Sequence, residues 1–255
     1  MSKMEVRQVN GGQVIDSAEN GERFILPVLP SGKYGLSQVD DYAHLPRRAF
    51  LHQPPLRLRL DARVSSAELP GTWGFGLWND PFSFGFGGGG MARLLPVLPN
   101  AAWFFYGSRQ NHLTLTDDQP GSGFHAKVFR SPRLPSILSL LGLPGLPLLF
   151  WRVTARLLRK SAAYLVREST KELSIGVDTW QTYEMIWKKD QVVFRVNQEV
   201  VMETDLSPIG PLGLVIWIDN QYFKFAPDGK TGFGFLDVPV EQWLDIRALS
   251  VTSDF

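Results

Sequence analysis

The chain has 255 residues, of which 44% are hydrophobic and 20% charged, which is long enough for a large core and typical of a soluble globular protein. Its formal net charge of +1 excludes a strong overall field that would attract nucleic acid. The absence of cysteine excludes disulfide bonds, thiolate chemistry and cysteine-based zinc sites. The polar N-terminal segment lacks the apolar stretch of a secretory signal, so we expect a cytoplasmic protein.

Short strands separated by turn residues are predicted along most of the chain. In Leu56–Val64, for example, leucines alternate with charged residues, as in a strand with one buried face. The regular spacing favours an all-β sandwich, with residues 1–255 as a single domain. The predicted strands are Phe24–Pro30, Tyr34–Tyr42, Leu56–Val64, Trp73–Trp78, Ala101–Ser108, His112–Thr116, Gly123–Phe129, Trp180–Trp187, Val192–Val196, Leu212–Ile218 and Trp243–Val251.

Residues 131–170 interrupt the β pattern and are predicted to form an insertion. The run from Leu134 to Trp151 carries no charge and is broken by prolines and glycines, which excludes one continuous spanning helix. After it, basic residues recur at helical spacing, beginning with Arg152 and Arg156, with apolar residues on the opposite face. Such a segment either lies in a membrane interface, through residues 134–160, or packs on the sandwich as a lid that closes a cleft.

The glycine-rich stretch at residues 82–90 is predicted to be a flexible loop over a cleft. No lysine follows its glycines and no change from strand to helix is evident, so it does not match a phosphate-binding loop.

Several motifs resemble those of the family 16 glycoside hydrolases, the laminarinase-like β-jelly rolls. The segment GTWGFGLWND (Gly71–Asp80) is similar to the family's turn and tryptophan-rich strand, and Asp178–Val201 is similar to a later hairpin. Pro211–Asn220 and Trp243–Val251 resemble the long strand after that hairpin and the closing strand. The resemblance covers roughly residues 34–130 and 171–255. It implies an all-β concanavalin-like jelly roll of two antiparallel sheets, with the ligand on the concave face.

The chain departs from this family where the family carries its catalytic carboxylates, in an E-x-D-x-x-E pattern. The best match is PNAAWFFYG, which places Asn100, Ala102 and Phe105 at the three catalytic positions. A retaining glycosidase needs two carboxyl groups about 5 Å apart. Because this strand contains no acid in any register, we expect no hydrolysis of the family type.

The resemblance also indicates which side chains should reach the cleft. Asp219 and Asp40 are the acids that could act as a general acid or base if an aromatic pocket raises their pKa. For the aspartates and asparagines at strand ends, ordinary turn chemistry is the alternative interpretation. The predicted ligand-binding residues are Gln38, Trp78, Asn79, Asn100, Ala102, Phe104, Trp217 and Asn220.

Three functions are compatible with these observations. The first is binding of a hydrophobic, isoprenoid- or polyketide-like molecule, with cyclisation or isomerisation by shape and one acid. The second is a lectin-like or carbohydrate-active protein with relocated acids, and the third is a peripheral membrane scaffold. An apolar closed tunnel would favour the lipophilic ligand, whereas polar groups beside exposed tryptophans would favour a glycan. The four histidines lack metal-ligand spacing, so no metal or other cofactor is expected.

Overall fold

The computed structural model describes residues 4–17, 21–81, 96–117, 119–134 and 151–253. Two seven-stranded antiparallel sheets, here called the front and back sheets, contain most of this chain. In spatial order the front sheet consists of β1 (Glu5–Val9), β4 (Leu36–Asp40), β13 (Gly213–Asp219), β6 (Thr72–Trp78), β7 (Ala101–Gly107), β8 (Gly123–Arg130) and β9 (Arg167–Glu172). The back sheet consists of β12 (Glu199–Thr204), β11 (Val192–Val196), β10 (Gln181–Trp187), β5 (Leu56–Val64), β16 (Gln242–Thr252), β3 (Gly21–Leu26) and β2 (Gln13–Ser17).

Three smaller elements complete the described structure. They are the hairpin β14 (Gln221–Phe225) and β15 (Thr231–Phe235), the helix α1 (Arg152–Leu165) and a 3₁₀ turn at Arg47–Ala49. The prediction of an all-β, two-sheet antiparallel sandwich is therefore confirmed.

The main core lies between the two sheets. On β5 the leucines and Val64 point inward and are buried, while Arg59 points to solvent, as the alternation predicts. The front sheet contributes aromatic residues to the same layer, where Phe104 packs edge-on against Tyr183 and Phe194. Buried aromatic rings in these geometries give the core both apolar area and a defined packing.

The connection between β5 and β6 crosses from the back sheet to the front sheet. Although they are consecutive in the chain, the two strands do not pair with each other: β5 pairs with β10 and β16, and β6 with β13 and β7. Gly71 makes the crossing possible: its φ is +90°, and a Cβ there would lie 2.1 Å from the backbone oxygen of Asp219.

The predicted insertion is the connection of a hairpin between adjacent strands. Arg130 of β8 and Arg167 of β9 are paired across the sheet, so the chain leaves the front sheet and rejoins it at directly opposite positions. The insertion ends four residues before the approximate predicted end at residue 170, because β9 begins at Arg167. Residues 135–150, with most of the uncharged run, lie outside the described residues, as does the predicted glycine-rich loop. None of the described helices is long and apolar enough to cross a membrane.

Candidate functional site

The outer face of the front sheet carries a second apolar layer, on the side away from the back sheet. Its centre, called here the aromatic cluster, consists of Trp78, Trp103, Phe105 and Trp217. The ring of Trp217 lies 5.6 Å from that of Trp103 and 5.8 Å from that of Phe105, measured between centroids. Trp78 stacks parallel to Trp217 at 6.5 Å. Three adjacent strands, β13, β6 and β7, supply these rings, so they form one continuous surface.

Gly74 allows the indole of Trp217 to lie flat on the sheet. Gly74 stands between Trp217 and Phe105 in the register of the three strands. A Cβ at this position would lie 2.8 Å from Cη2 of Trp217, which is closer than packed carbons approach. The indole is also fixed at its nitrogen, because Nε1 donates a hydrogen bond of 2.9 Å to Oγ1 of Thr72.

Ala102 and Phe104 do not belong to this face. Both point into the core between the sheets, and the outer face of β7 is formed by Ala101, Trp103 and Phe105 instead. The assignment of these two residues to the cleft is therefore wrong by one position. A shift of one residue exchanges the faces of a strand, and every residue of β7 is buried, so its apolar pattern does not distinguish them.

Asp219 lies at the end of β13 on the outer face, beside the aromatic cluster. Its Oδ1 accepts hydrogen bonds from Oγ1 of Thr72 at 2.8 Å and from the backbone N–H groups of Thr72 and Gln221 at 3.2 Å. Burial raises the pKa of the Asp219 carboxyl to about 7, and these hydrogen bonds only partly offset the effect. Since Thr72 also accepts from Trp217, a hydrogen-bonded chain connects the indole to this carboxyl. The group can hold or release a proton near neutral pH.

Gln38 and Asp40 lie on β4, on the same outer face. The amide nitrogen of Gln38 donates to Oδ2 of Asp40 at 2.8 Å. Oδ1 of Asp40 accepts from the backbone N–H groups of Tyr42 and Ala43, which caps the turn after the strand. Burial raises the pKa of the Asp40 carboxyl, while its hydrogen bonds act in the opposite direction. With both oxygens engaged, Asp40 has the contacts of a turn-capping residue.

The three predicted asparagines are largely engaged in holding loops together. Asn100 is 2% exposed and Asn220 fully buried, whereas Asn79 is half-buried. In each of them the side-chain oxygen and nitrogen are both hydrogen-bonded to backbone groups. The partners are Leu98 and Asn100 for Asn79, Ser131 and Ile209 for Asn100, and Lys33, Gly35 and Leu236 for Asn220. These contacts match the turn interpretation of the strand-end residues better than ligand binding.

A buried ion pair on the outer face is absent from the sequence-based site. Nζ of Lys127 lies 3.0 Å from Oε1 of Glu168 and donates to the backbone oxygen of Leu113 at 2.9 Å. Glu168 in turn accepts from the backbone N–H of Leu115 at 2.6 Å. Burial lowers the pKa of Lys127, and the adjacent Glu168 opposes this effect. The pair fastens residues 113–115 over the front sheet. The available signal was Lys127 itself, a charged residue between Ala126 and Val128 in a predicted strand.

Loops cover much of the aromatic cluster. Apolar side chains from three loops pack against it, and Trp103, Phe105 and Trp217 are each only 8% exposed, whereas Trp78 is half-buried. The indole N–H of Trp103 is nevertheless buried without an acceptor among the described residues. A buried donor without a partner costs free energy, so a ligand with an acceptor oxygen would be stabilised at this position. The loop residues involved include Leu45, Phe50, Leu98, Leu113 and Leu115.

Within the described residues, no group of three or more histidine, aspartate or glutamate side chains is arranged to hold a metal ion. His125 lies on the outer face, where burial and the nearby Lys127 lower the pKa of its imidazole to about 4. It is therefore neutral at physiological pH.

No protein-family model matches the chain, and no curated protein matches it by sequence. Among solved structures, it is similar to a legume lectin-like domain from Entamoeba histolytica (10% identity, TM-score 0.48, covering 99% of this chain and 90% of that one). It is also similar to the β-glucanase of Bacillus licheniformis (8% identity, TM-score 0.49, 95% and 88% covered) and to a Bacteroides ovatus GH16 protein in complex with a glucan product (6% identity, TM-score 0.49, 98% and 94% covered). The two-sheet antiparallel architecture of this chain rests on the strand pairing described above.

Proposed function

We propose that the protein is a lectin-like carbohydrate-binding protein, with its site on the outer face of the front sheet. The observation that carries this proposal is the aromatic cluster, in which stacked indole rings lie beside hydrogen-bonding groups. Sugar rings offer apolar C–H faces that pack on aromatic rings, together with hydroxyl groups at their edges. Trp78 and Trp217 supply the rings. Gln38, Asp219 and the N–H of Trp103, which has no acceptor in the described part of the chain, supply the polar contacts.

Hydrolysis by a pair of carboxylates does not fit this face. Asp40 pairs with Val215 and Asp219 with Leu36 on neighbouring strands, so the two acids are separated by four residues along the sheet. At about 3.3 Å per residue this is about 13 Å. Retaining glycosidases need about 5 Å and inverting ones about 6.5–9.5 Å. We therefore infer binding without hydrolysis by Asp40 and Asp219.

The experiment is a glycan array with the full chain, followed by calorimetry with the best glycan. Replacing the half-buried Trp78 by alanine should weaken binding about tenfold or more, because the sugar loses an apolar surface worth about 2 kcal/mol. Trp180 is equally half-buried but packs against Arg63 and Arg247, which makes Trp180→Ala the matched control. Equal affinities of the two variants, or no glycan bound at all, would contradict the proposal.

One observation favours a second candidate function, the binding of a lipophilic molecule. The cluster is covered more completely than an open sugar-binding groove requires, since three of its four rings are 8% exposed. An isoprenoid- or polyketide-like ligand would fit such a surface, and Asp219 would be the one acid for a cyclisation or isomerisation. Native mass spectrometry after organic extraction tests this function: a co-purifying apolar molecule that is lost in Trp217→Ala would support it over the glycan.

A further inference from the structure

The helix α1 is fixed to the body of the protein by a buried arginine. The guanidinium of Arg159 donates to the backbone oxygens of Thr114 at 2.6 Å and Phe225 at 2.7 Å, and it pairs with Asp117 at 2.9 Å. Ala155, one turn earlier, is also buried. The helix therefore has one defined side toward the protein, and the opposite side is presented outward.

The outward side of α1 is apolar, contrary to what its sequence pattern predicts for a helix packed on the sandwich. Val153, Leu157 and Tyr164 are 67%, 59% and 88% exposed. Their spacings of four and seven residues place them on one side of the helix, and we call them the apolar stripe. Large apolar residues grouped on a surface in this way mark a site of interaction.

Basic residues border the apolar stripe. Arg152, Arg156 and Lys160 are exposed, and the helix contains no acidic residue. The two carboxylates nearby already have cationic partners: Asp117 pairs with Arg159, and Asp228 pairs with Lys230 at 2.8 Å. Asp228 also lies near Arg152, and its backbone oxygen accepts from Nε of Arg156 at 3.0 Å, which leaves three helix cations beside one carboxylate that is already paired. The exposed cations of the helix are therefore in excess over the acids that face them.

Trp151 stands at the N-terminal end of the helix and is 62% exposed. An indole has an apolar body and a polar N–H, and it is favoured at the boundary between lipid headgroups and acyl chains. An apolar stripe, flanking cations and a terminal tryptophan are together the features of helices that lie in the plane of a membrane surface.

We propose that α1 docks the protein on an anionic lipid bilayer. The apolar stripe enters the boundary between headgroups and acyl chains, while Arg152, Arg156 and Lys160 contact the negatively charged headgroups. Charge complementarity selects this occupant. An uncharged apolar partner would cover the apolar stripe but would supply no negative charge to the three cations beside it. The inference is independent of the carbohydrate site and involves a different part of the molecule.

The test is sedimentation of the full chain with phosphatidylcholine vesicles that contain either no phosphatidylserine or 30% phosphatidylserine. We expect binding to the anionic vesicles and weaker binding in 0.5 M NaCl, because salt screens the attraction. Replacing Arg152, Arg156 and Lys160 by glutamine should reduce affinity about a hundredfold, at about fivefold for each charge. The matched control removes three exposed cations elsewhere, in Arg48→Gln, Lys188→Gln and Lys189→Gln.

A second pair of variants tests the apolar stripe. Val153→Ser with Leu157→Ser should weaken vesicle binding at least tenfold, whereas Val28→Ser with Val240→Ser, at similarly exposed positions, should not. Thermal denaturation checks that each variant remains folded. The proposal is overturned if the wild type ignores anionic vesicles, or if test and control variants bind alike. It is also overturned if light scattering shows a dimer that only the stripe variant abolishes, because the stripe would then bind a second copy.

Discussion

At the level of single residues, the Asp219 carboxyl combines three hydrogen bonds with almost complete removal from water. Its Oδ1 is stabilised by Thr72 and Gln221, yet burial still raises its pKa to about 7. Desolvation therefore outweighs hydrogen bonding at this position. This balance makes the residue both a proton donor near neutral pH and a source of pH-dependent stability.

Asp219 should make the protein less stable as the pH rises from about 4 to about 7. In this window the folded state keeps the proton that the unfolded state has lost, so the free energy of unfolding falls by about 1.4 kcal/mol per pH unit. Asp219→Asn stays neutral and retains an oxygen acceptor, so this contribution should vanish. Urea denaturation at pH 5 and pH 7.5 measures the difference. The exposed Asp237→Asn should keep the wild-type pH dependence; an unchanged dependence in Asp219→Asn would contradict the expectation.

The buried ion pair of Lys127 and Glu168 should be sensitive to the loss of either charge. Lys127→Met should reduce the free energy of unfolding by about 3–5 kcal/mol, because it leaves the Glu168 carboxylate buried without its cation. Adding Glu168→Gln should restore part of the loss, since the amide is neutral and keeps an oxygen for the N–H of Leu115. Denaturation at pH 7 tests the expected order of stability, in which the double variant lies between the wild type and Lys127→Met.

A matched control for this experiment is the exposed pair of Arg109 and Glu68. Both side chains are largely in solvent, so Arg109→Met should change stability little. If the double variant were less stable than Lys127→Met alone, the cost of burying an unpaired Glu168 carboxylate would not explain the loss of stability.

The residues of the candidate site could be predicted in part. The resemblance of the motifs to the glycoside hydrolase family assigned Trp217 and Gln38 to the cleft face, and both lie on the outer face of the front sheet. Phe104 could not be assigned correctly, because β7 is buried on both sides and its pattern is apolar throughout. Glu168 was missed because it follows the basic helix, where a charged side chain is expected to be exposed.

At the level of secondary-structure elements, the strands with one exposed face were the most predictable. β5 was predicted with its observed bounds, because Leu and Arg alternate along it. β1, β2 and β9 are edge strands of mixed or polar composition, as edge strands often are, and these patterns do not stand out from loops. The predicted strand at His112–Thr116 is a loop with one isolated bridge, at His112.

The helix α1 is anchored to the body of the protein by Arg159. Arg159→Met should lower the free energy of unfolding by about 1–3 kcal/mol, because the carbonyls of Thr114 and Phe225 lose a buried donor. Hydrogen exchange should accelerate within the helix and at residues 114–116. Lys160→Met, at an exposed position on the same helix, is the control. Equal exchange rates in the two variants would show that Arg159 does not anchor the helix.

At the level of the whole molecule, the front sheet separates two apolar layers. One lies between the sheets around Phe104, and the other lies under the loops around Phe105. The first is closed by two rigid sheets, whereas the second is closed by loops, which can settle more easily after a side chain is removed. The layers should therefore differ in their response to the same substitution.

Phe104→Ala should reduce the free energy of unfolding by about 3–5 kcal/mol, as expected for a large cavity in a core. Phe105→Ala should cost less, and it should weaken glycan binding because its ring contacts Trp217. Denaturation and calorimetry on both variants distinguish these effects. The reverse order of stabilities would mean that the outer layer is packed as rigidly as the inner one.

The pairing of Arg130 with Arg167 has a consequence for how such a protein can diversify. The chain leaves the front sheet after Arg130 and rejoins it at Arg167 on the neighbouring strand, so the connection between them does not alter the strand order. A shorter connection would keep the same strand order, but it would lose the contacts that Arg159 makes with Thr114 and Phe225. The connection between β8 and β9 is therefore a place where insertions can vary in length while the connectivity of the scaffold stays constant.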